Sequence, residues 1–130
     1  MGSRCRIIPP LGTGGTDVKY MVLFTRADWE DTAPEAERQR LYAAVGEWWG
    51  RLASQGKIVE GYQLQPAQTA TTVVLDHGAS TIIDGPFMEA KETIGGYSIF
   101  EVADLDEALA LARTFPSPTG KVEVRPVVER

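Results

Sequence analysis

An α+β domain of the ferredoxin-like split βαβ type, with an inserted β-hairpin in an antiparallel arrangement, is predicted by three observations. Two segments with helical apolar spacing alternate with stretches rich in β-branched and aromatic residues. The resulting order is β-α-β-hairpin-β-α-β. The chain has 130 residues, the length of one domain, and is 43% apolar and 24% charged, ordinary for a globule with its own core.

Residues 1–16 (MGSRCRIIPPLGTGGT) are dominated by Gly, Pro, Ser and Thr with no apolar period, and are expected to form a flexible N-terminal tail. The domain is expected to span 17–130. Val18–Thr25 (VKYMVLFT) reads as a strand with Tyr20, Val22 and Phe24 on one face and Met21 and Leu23 on the other. Both faces are apolar, so this strand should be central and covered on both sides. Thr32-Ala33-Pro34-Glu35 has the pattern of a capping box with an early proline. The helix it opens should run to about Gln55, where Gly56 stops it. Leu41, Val45, Trp48 and Leu52 fall on one stripe, which marks Trp48 as core; Trp49 lies off the stripe and should cover an edge or a subunit contact.

Ile58–Leu64 reads as a second strand, closed by Pro66. Thr71–Asp76 and Ser80–Ile83 form a hairpin around Asp76-His77-Gly78-Ala79, and Asp84-Gly85-Pro86-Phe87 breaks it. Residues 87–93 are an irregular connection. Ile94–Val102 is a strand, loosened at its start by Gly95 and Gly96. Asp104 caps a second helix with Leu105, Ala108, Leu109 and Ala112 on its buried side. Pro116 and Pro118 end it, and Val122–Val127 is the last strand. Two helices cover one face of such a sheet. The simplest cover for the other is a second copy of the chain, which predicts a face-to-face homodimer.

The net charge of −5, and of −7 within 17–130, lacks the basic footprint of a nucleic-acid binder. No run approaches the roughly 18 apolar residues of a membrane span, and Pro9 and Pro10 cut off Ile7 and Ile8 before any signal-peptide core forms. Neither nucleic acid nor membrane is therefore an expected partner. Cys5 is the single cysteine and His77 the single histidine, so no internal disulfide and no Cys/His zinc site is available, and the default location is cytoplasmic. Gly12–Gly15 is no phosphate loop, because no strand precedes it and no Lys-Ser/Thr follows. The acidic residues show no EF-hand spacing; no metal or cofactor is expected.

Asp84, Glu89, Lys91 and Glu92 place four charges in nine residues beside Phe87 and Met88. Apolar walls with a few polar groups are what a ligand pocket needs. Asp84 is the candidate catalytic acid or base, with Tyr20, Phe87, Lys91 and Glu92 as candidate ligand-binding residues. Turn chemistry offers a purely structural reading as well: Asp before Gly-Pro bonds to backbone N–H groups, and Lys91 pairs with a carboxylate. His77 belongs at a hairpin tip, roughly 20 Å along the strand from Asp84, too far for a dyad within one subunit. Tyr20, Trp48, Trp49 and Tyr97 are the aromatic side chains considered as walls for a flat ligand.

The run Asp84-Gly85-Pro86-Phe87, with Lys91-Glu92 and Gly95-Gly96, resembles the DGPF-domain branch of the YCII-related family. Lys19–Leu23 is similar to that family's opening strand, Gly61 to Pro66 to its Gly-x-x-Leu-x-Pro run, and 104–109 and 122–126 to its closing helix and strand. The resemblance implies a dimeric α+β barrel. It also implies a small-molecule-binding, lyase-like protein with a pocket at the dimer interface near Asp84, since some relatives are lyase-like enzymes acting on small aromatic compounds. The alternative is a non-enzymatic dimeric interaction or sensory module linked to alternative-sigma-factor regulation. Enzyme-like relatives carry a histidine near the first strand or helix; this chain has Asp28, Glu30 and Asp31 there.

Overall fold

In the computed structural model, which describes residues 17–86 and 93–129, four antiparallel strands form one sheet and two form a separate ribbon. The sheet strands are β1 (Val18–Thr25), β2 (Ile58–Gln63), β5 (Ile94–Val102) and β6 (Val122–Pro126), in the order β2-β5-β1-β6. This is the split βαβ arrangement expected from the element order. The ribbon pairs β3 (Thr71–Asp76) with β4 (Ala79–Asp84) in continuous register from Thr71 opposite Asp84 to Asp76 opposite Ala79. Helix α1 (Trp29–Thr32) is a single turn, α2 (Glu35–Ser54) is the long crossover, and α3 (Leu105–Ala112) precedes the last strand. The expected tail, 1–16, lies outside the described residues.

Period-two alternation in β1 and β5 decides the core. Tyr20, Val22 and Phe24 on β1, with Phe100 and Val102 on β5, face the helices and are buried. Register sets Tyr20 opposite Phe100 and Val22 opposite Ser98. Trp48 and Leu52 of α2, Ile58 of β2 and Ala108 of α3 close over this face. Trp48 is 1% exposed, as its place on the stripe predicts, and its Nε1 donates to Thr114 Oγ1 at 2.7 Å. That bond satisfies the polar end of the largest side chain in the core. Met21, Leu23, Tyr97 and Ile99 line the other sheet face, which no helix among the described residues covers.

Two local expectations are corrected. The long helix does not begin with a capping box at Thr32: Thr32 Oγ1 donates back to the Asp28 carbonyl at 2.9 Å, closing α1, and Pro34 occupies the N-cap of α2. A residue before proline is driven out of helical conformation, so Ala33 is extended and the chain makes two helices. On α3 it is Leu111, not Leu109, that packs against the core, while Leu109 is exposed. A short 3₁₀ turn, Ala67–Thr69, joins β2 to the ribbon. Asp104 does cap α3, accepting from the Glu107 N–H at 2.9 Å, and Glu107 returns a bond to Ala103 N–H at 2.8 Å.

Candidate functional site

The end of β1 leads into the site. After Thr25 the chain must turn before Pro34, and the single turn of α1 does this. Glu30 Oε2 accepts the Ala27 N–H at 2.8 Å, which fixes the carboxylate against its own backbone. Trp29 is buried, its Nε1 donating to Ser117 Oγ at 2.9 Å, and its ring meets Tyr42 edge-on at 5.0 Å. Tyr42, on α2, donates its hydroxyl to Glu30 Oε1 at 3.1 Å. Burial and the adjacent Glu30 carboxylate push the Tyr42 phenol above its ordinary value of 10.0, partly opposed by Arg26 and by the Gln63 amide. The hydroxyl therefore stays protonated and acts as a donor.

A cavity of about 330 Å³ opens beside this pair. Its walls are Phe24, Trp29, Tyr42, Val45, Trp49 and Phe115, and its polar edge carries Glu30, Gln63, Thr25 and Ser117. The floor is built from glycines. Gly61 on β2 and Gly95 and Gly96 on β5 present bare backbone, and the Trp49 indole occupies the space above Gly61. A Cβ at Gly61 would lie 2.4 Å from both Trp49 Cζ2 and the Tyr97 carbonyl oxygen. This explains why Trp49 departs from the core stripe: it closes over a glycine and walls the cavity.

Arg26 stands outside the cavity lining. Its Nε and Nη2 bond Asp31 at 3.0–3.3 Å, whereas its Nη1 reaches Glu30 Oε1 only at 3.6 Å. The Asp31 bond, aided by the charges of Asp31 and Glu30, raises the guanidinium above its usual value. Among the described residues no group of three or more His, Cys, Asp and Glu side chains is placed to hold a metal ion.

Of the residues expected from the sequence, Trp49 walls the cavity, whereas Asp84, Tyr20, Tyr97 and His77 stand away from it. Asp84 is exposed at the end of β4 opposite Thr71, and its carboxylate has no hydrogen-bond or ion-pair partner among the described residues. The turn after it is held instead by the Gly85 N–H on the Ala70 carbonyl at 2.7 Å, and by Thr72 Oγ1 on the Gly85 carbonyl at 2.7 Å. Phe87, Lys91 and Glu92 lie outside the described residues. Tyr20 packs in the core, and Tyr97 lies on the uncovered sheet face with its hydroxyl on Glu60 at 3.0 Å. His77 is 98% exposed at the hairpin tip and bonds only its neighbour Asp76 at 2.8 Å. Glu30 was not among the site residues expected from the sequence; the acidic run Asp28, Glu30 and Asp31 and the off-stripe Trp49 are the signals that could have found it.

A model of the YCII-related domain matches residues 18–130. The chain is also 39% identical over 94 residues to an uncharacterized protein of Rhizobium meliloti (strain 1021), covering 70% of this chain and 76% of that one. The match takes in the sheet, all three helices and every residue that walls the cavity, and the chain belongs to the YCII-related family.

Proposed function

We propose that this protein binds a small, flat organic ligand in the aromatic cavity beneath α1 and α2 and carries out lyase-like proton-transfer chemistry on it, with the Glu30 carboxylate as the acting base. The observation that carries this reading is the one carboxylate among the described residues lining the cavity, held by the Ala27 N–H and the Tyr42 hydroxyl at the edge of aromatic walls. A fixed base beside a bound ring is the arrangement proton abstraction requires. The Tyr42 phenol, kept protonated, stabilises the carboxylate's orientation. The proposal extends to a homodimer of the DGPF branch in the cytoplasm. In that dimer a second ligand pocket lies at the interface near Asp84.

Thermal-shift titration with a panel of small aromatic acids, amines and lactones tests this reading. A ligand that raises the midpoint of the wild type and of Asp84→Asn, but not of Glu30→Gln, is the expected result. A ligand effect lost in Asp84→Asn and kept in Glu30→Gln would move the site to the hairpin. No response from any panel member would favour the interaction-module alternative, for which the uncovered apolar face of the sheet is the supporting observation.

A further inference from the structure

The charge around the cavity narrows the ligand class, given that the cavity is the binding site. Among the described residues Glu30 is its single charged lining residue, and no Lys, Arg or His lines it. Among the described residues the cation paired with Glu30 is Arg26, which is committed to Asp31 through contacts of 3.0–3.3 Å and stands 3.6 Å from Glu30. One guanidinium between two carboxylates leaves the group a net charge of −1. A carboxylate has about four lone-pair positions, and Glu30 uses two of them on Ala27 and Tyr42. Two acceptor positions remain. Trp29, Tyr42, Trp49, Phe24 and Phe115 contribute π-faces, which attract cations and offer nothing to an anion. An anionic ligand entering this space would meet a carboxylate, electron-rich faces and, among the described lining residues, no cation in a partly desolvated site. The protein's net charge of −5 acts in the same direction at long range.

We infer that the cavity selects a flat ring carrying a cationic or N–H-donating nitrogen, which docks on Glu30 while the ring stacks among Trp29, Tyr42 and Trp49. Anions of the same size are excluded. Asp31 is a positioning residue in this scheme: by holding Arg26 on its own carboxylate it keeps the Arg26–Glu30 ion pair long, at 3.6 Å.

Three probes of matched size and different charge test the inference by isothermal titration at neutral pH: benzylamine, benzyl alcohol and phenylacetate. Benzylamine should bind at least about tenfold more tightly than phenylacetate, with benzyl alcohol between them, a gap of about 1.4 kcal/mol. Glu30→Gln should collapse the order to within a few-fold while benzyl alcohol binding is kept. Asp31→Asn, at an exposed carboxylate, supplies a second variant should the first fail to fold. It frees Arg26 to close on Glu30 and should weaken benzylamine several-fold with little change for benzyl alcohol. Equal binding of all three probes, or a preference for phenylacetate, overturns the charge selection and leaves the cavity as a binding site. Failure of all three to bind, with the cavity tryptophans unperturbed in emission, overturns both the inference and the reading beneath it.

Discussion

Gly61 shows how one residue sets the shape of a site. Glycine ordinarily weakens a strand, and on β2 it is tolerated because a neighbour needs the space. Adding a methyl group places Cβ 2.4 Å from a backbone carbonyl oxygen, Tyr97 O, and 2.4 Å from the Trp49 ring. The ring can swing away, but the carbonyl belongs to β5 in the middle of the sheet and cannot. Gly61→Ala should therefore cost about 1–3 kcal/mol, the range for overpacking, and push Trp49 out of the cavity wall. Urea unfolding followed by tryptophan emission measures both effects. An unchanged midpoint with unchanged emission would mean that Trp49 and β2 are not packed as described. The hairpin tip follows a different rule. His77 and Gly78 have φ of 50° and 96°, the positive pair that a two-residue hairpin turn requires. Histidine there serves the backbone, and its imidazole points into solvent.

At the scale of elements, α3 is tied to the sheet by electrostatics that pH can switch. Glu107 accepts the Ala103 N–H at 2.8 Å and pairs with Lys57, next to β2, at 2.6 Å. The backbone bond first, then Lys57, hold its carboxyl below the ordinary 4.5, and the same pair raises Lys57 above 10.5. A depressed carboxyl stabilises the fold above its unfolded pKa, and this contribution is lost as pH falls from about 4.5 through the folded value. The Lys57 contribution is full below 10.5 and is lost as pH rises beyond it. Glu107→Gln should thus cost about 1 kcal/mol at neutral pH, the usual size of a capping interaction, and progressively less as the pH falls below about 4.5. Thermal midpoints of the two proteins across pH check this; a gap that persists at low pH would show that packing, not charge, is at work. This cap was legible as Asp104 followed three residues later by Glu107, and β1 and β5 were legible from their alternation. The single turn of α1 was not, because four residues carry no period. The cavity was not either. Its lining comes from six separated stretches of chain, which no local pattern in the sequence brings together.

The whole molecule leaves apolar surface that its own helices do not reach. Met21 and Leu23 of β1 and Tyr97 and Ile99 of β5 form the centre of the uncovered sheet face, with Tyr62 at one edge and Glu123 and Arg125 paired at the other. The β3–β4 ribbon is more exposed still. Val73, Val74, Leu75, Ile82 and Ile83 are exposed along both of its sides, Leu75 to 80%. A two-stranded ribbon is marginally stable alone in water, so one with apolar residues on both sides needs cover. Apolar surface of this extent on a small protein marks an interface. The sheet face and the ribbon carry few charges at their centres, which suits the same surface on a second copy, related by a two-fold axis. A homodimer is the expected state, and gel filtration with light scattering at micromolar concentration should give twice the chain mass of 14.2 kDa. Leu23→Glu sets a new carboxylate opposite Tyr97 and beside Glu123, in the middle of the face. It should yield a monomer with unchanged circular dichroism and a lower thermal midpoint, because the helix-covered core on the other side of β1 is untouched. A wild type that elutes as a 14.2 kDa particle would overturn the argument, and a Leu23→Glu dimer would move the interface from the sheet to the ribbon. In that case Leu75→Lys, at the most exposed apolar position of the ribbon, becomes the change expected to separate the subunits.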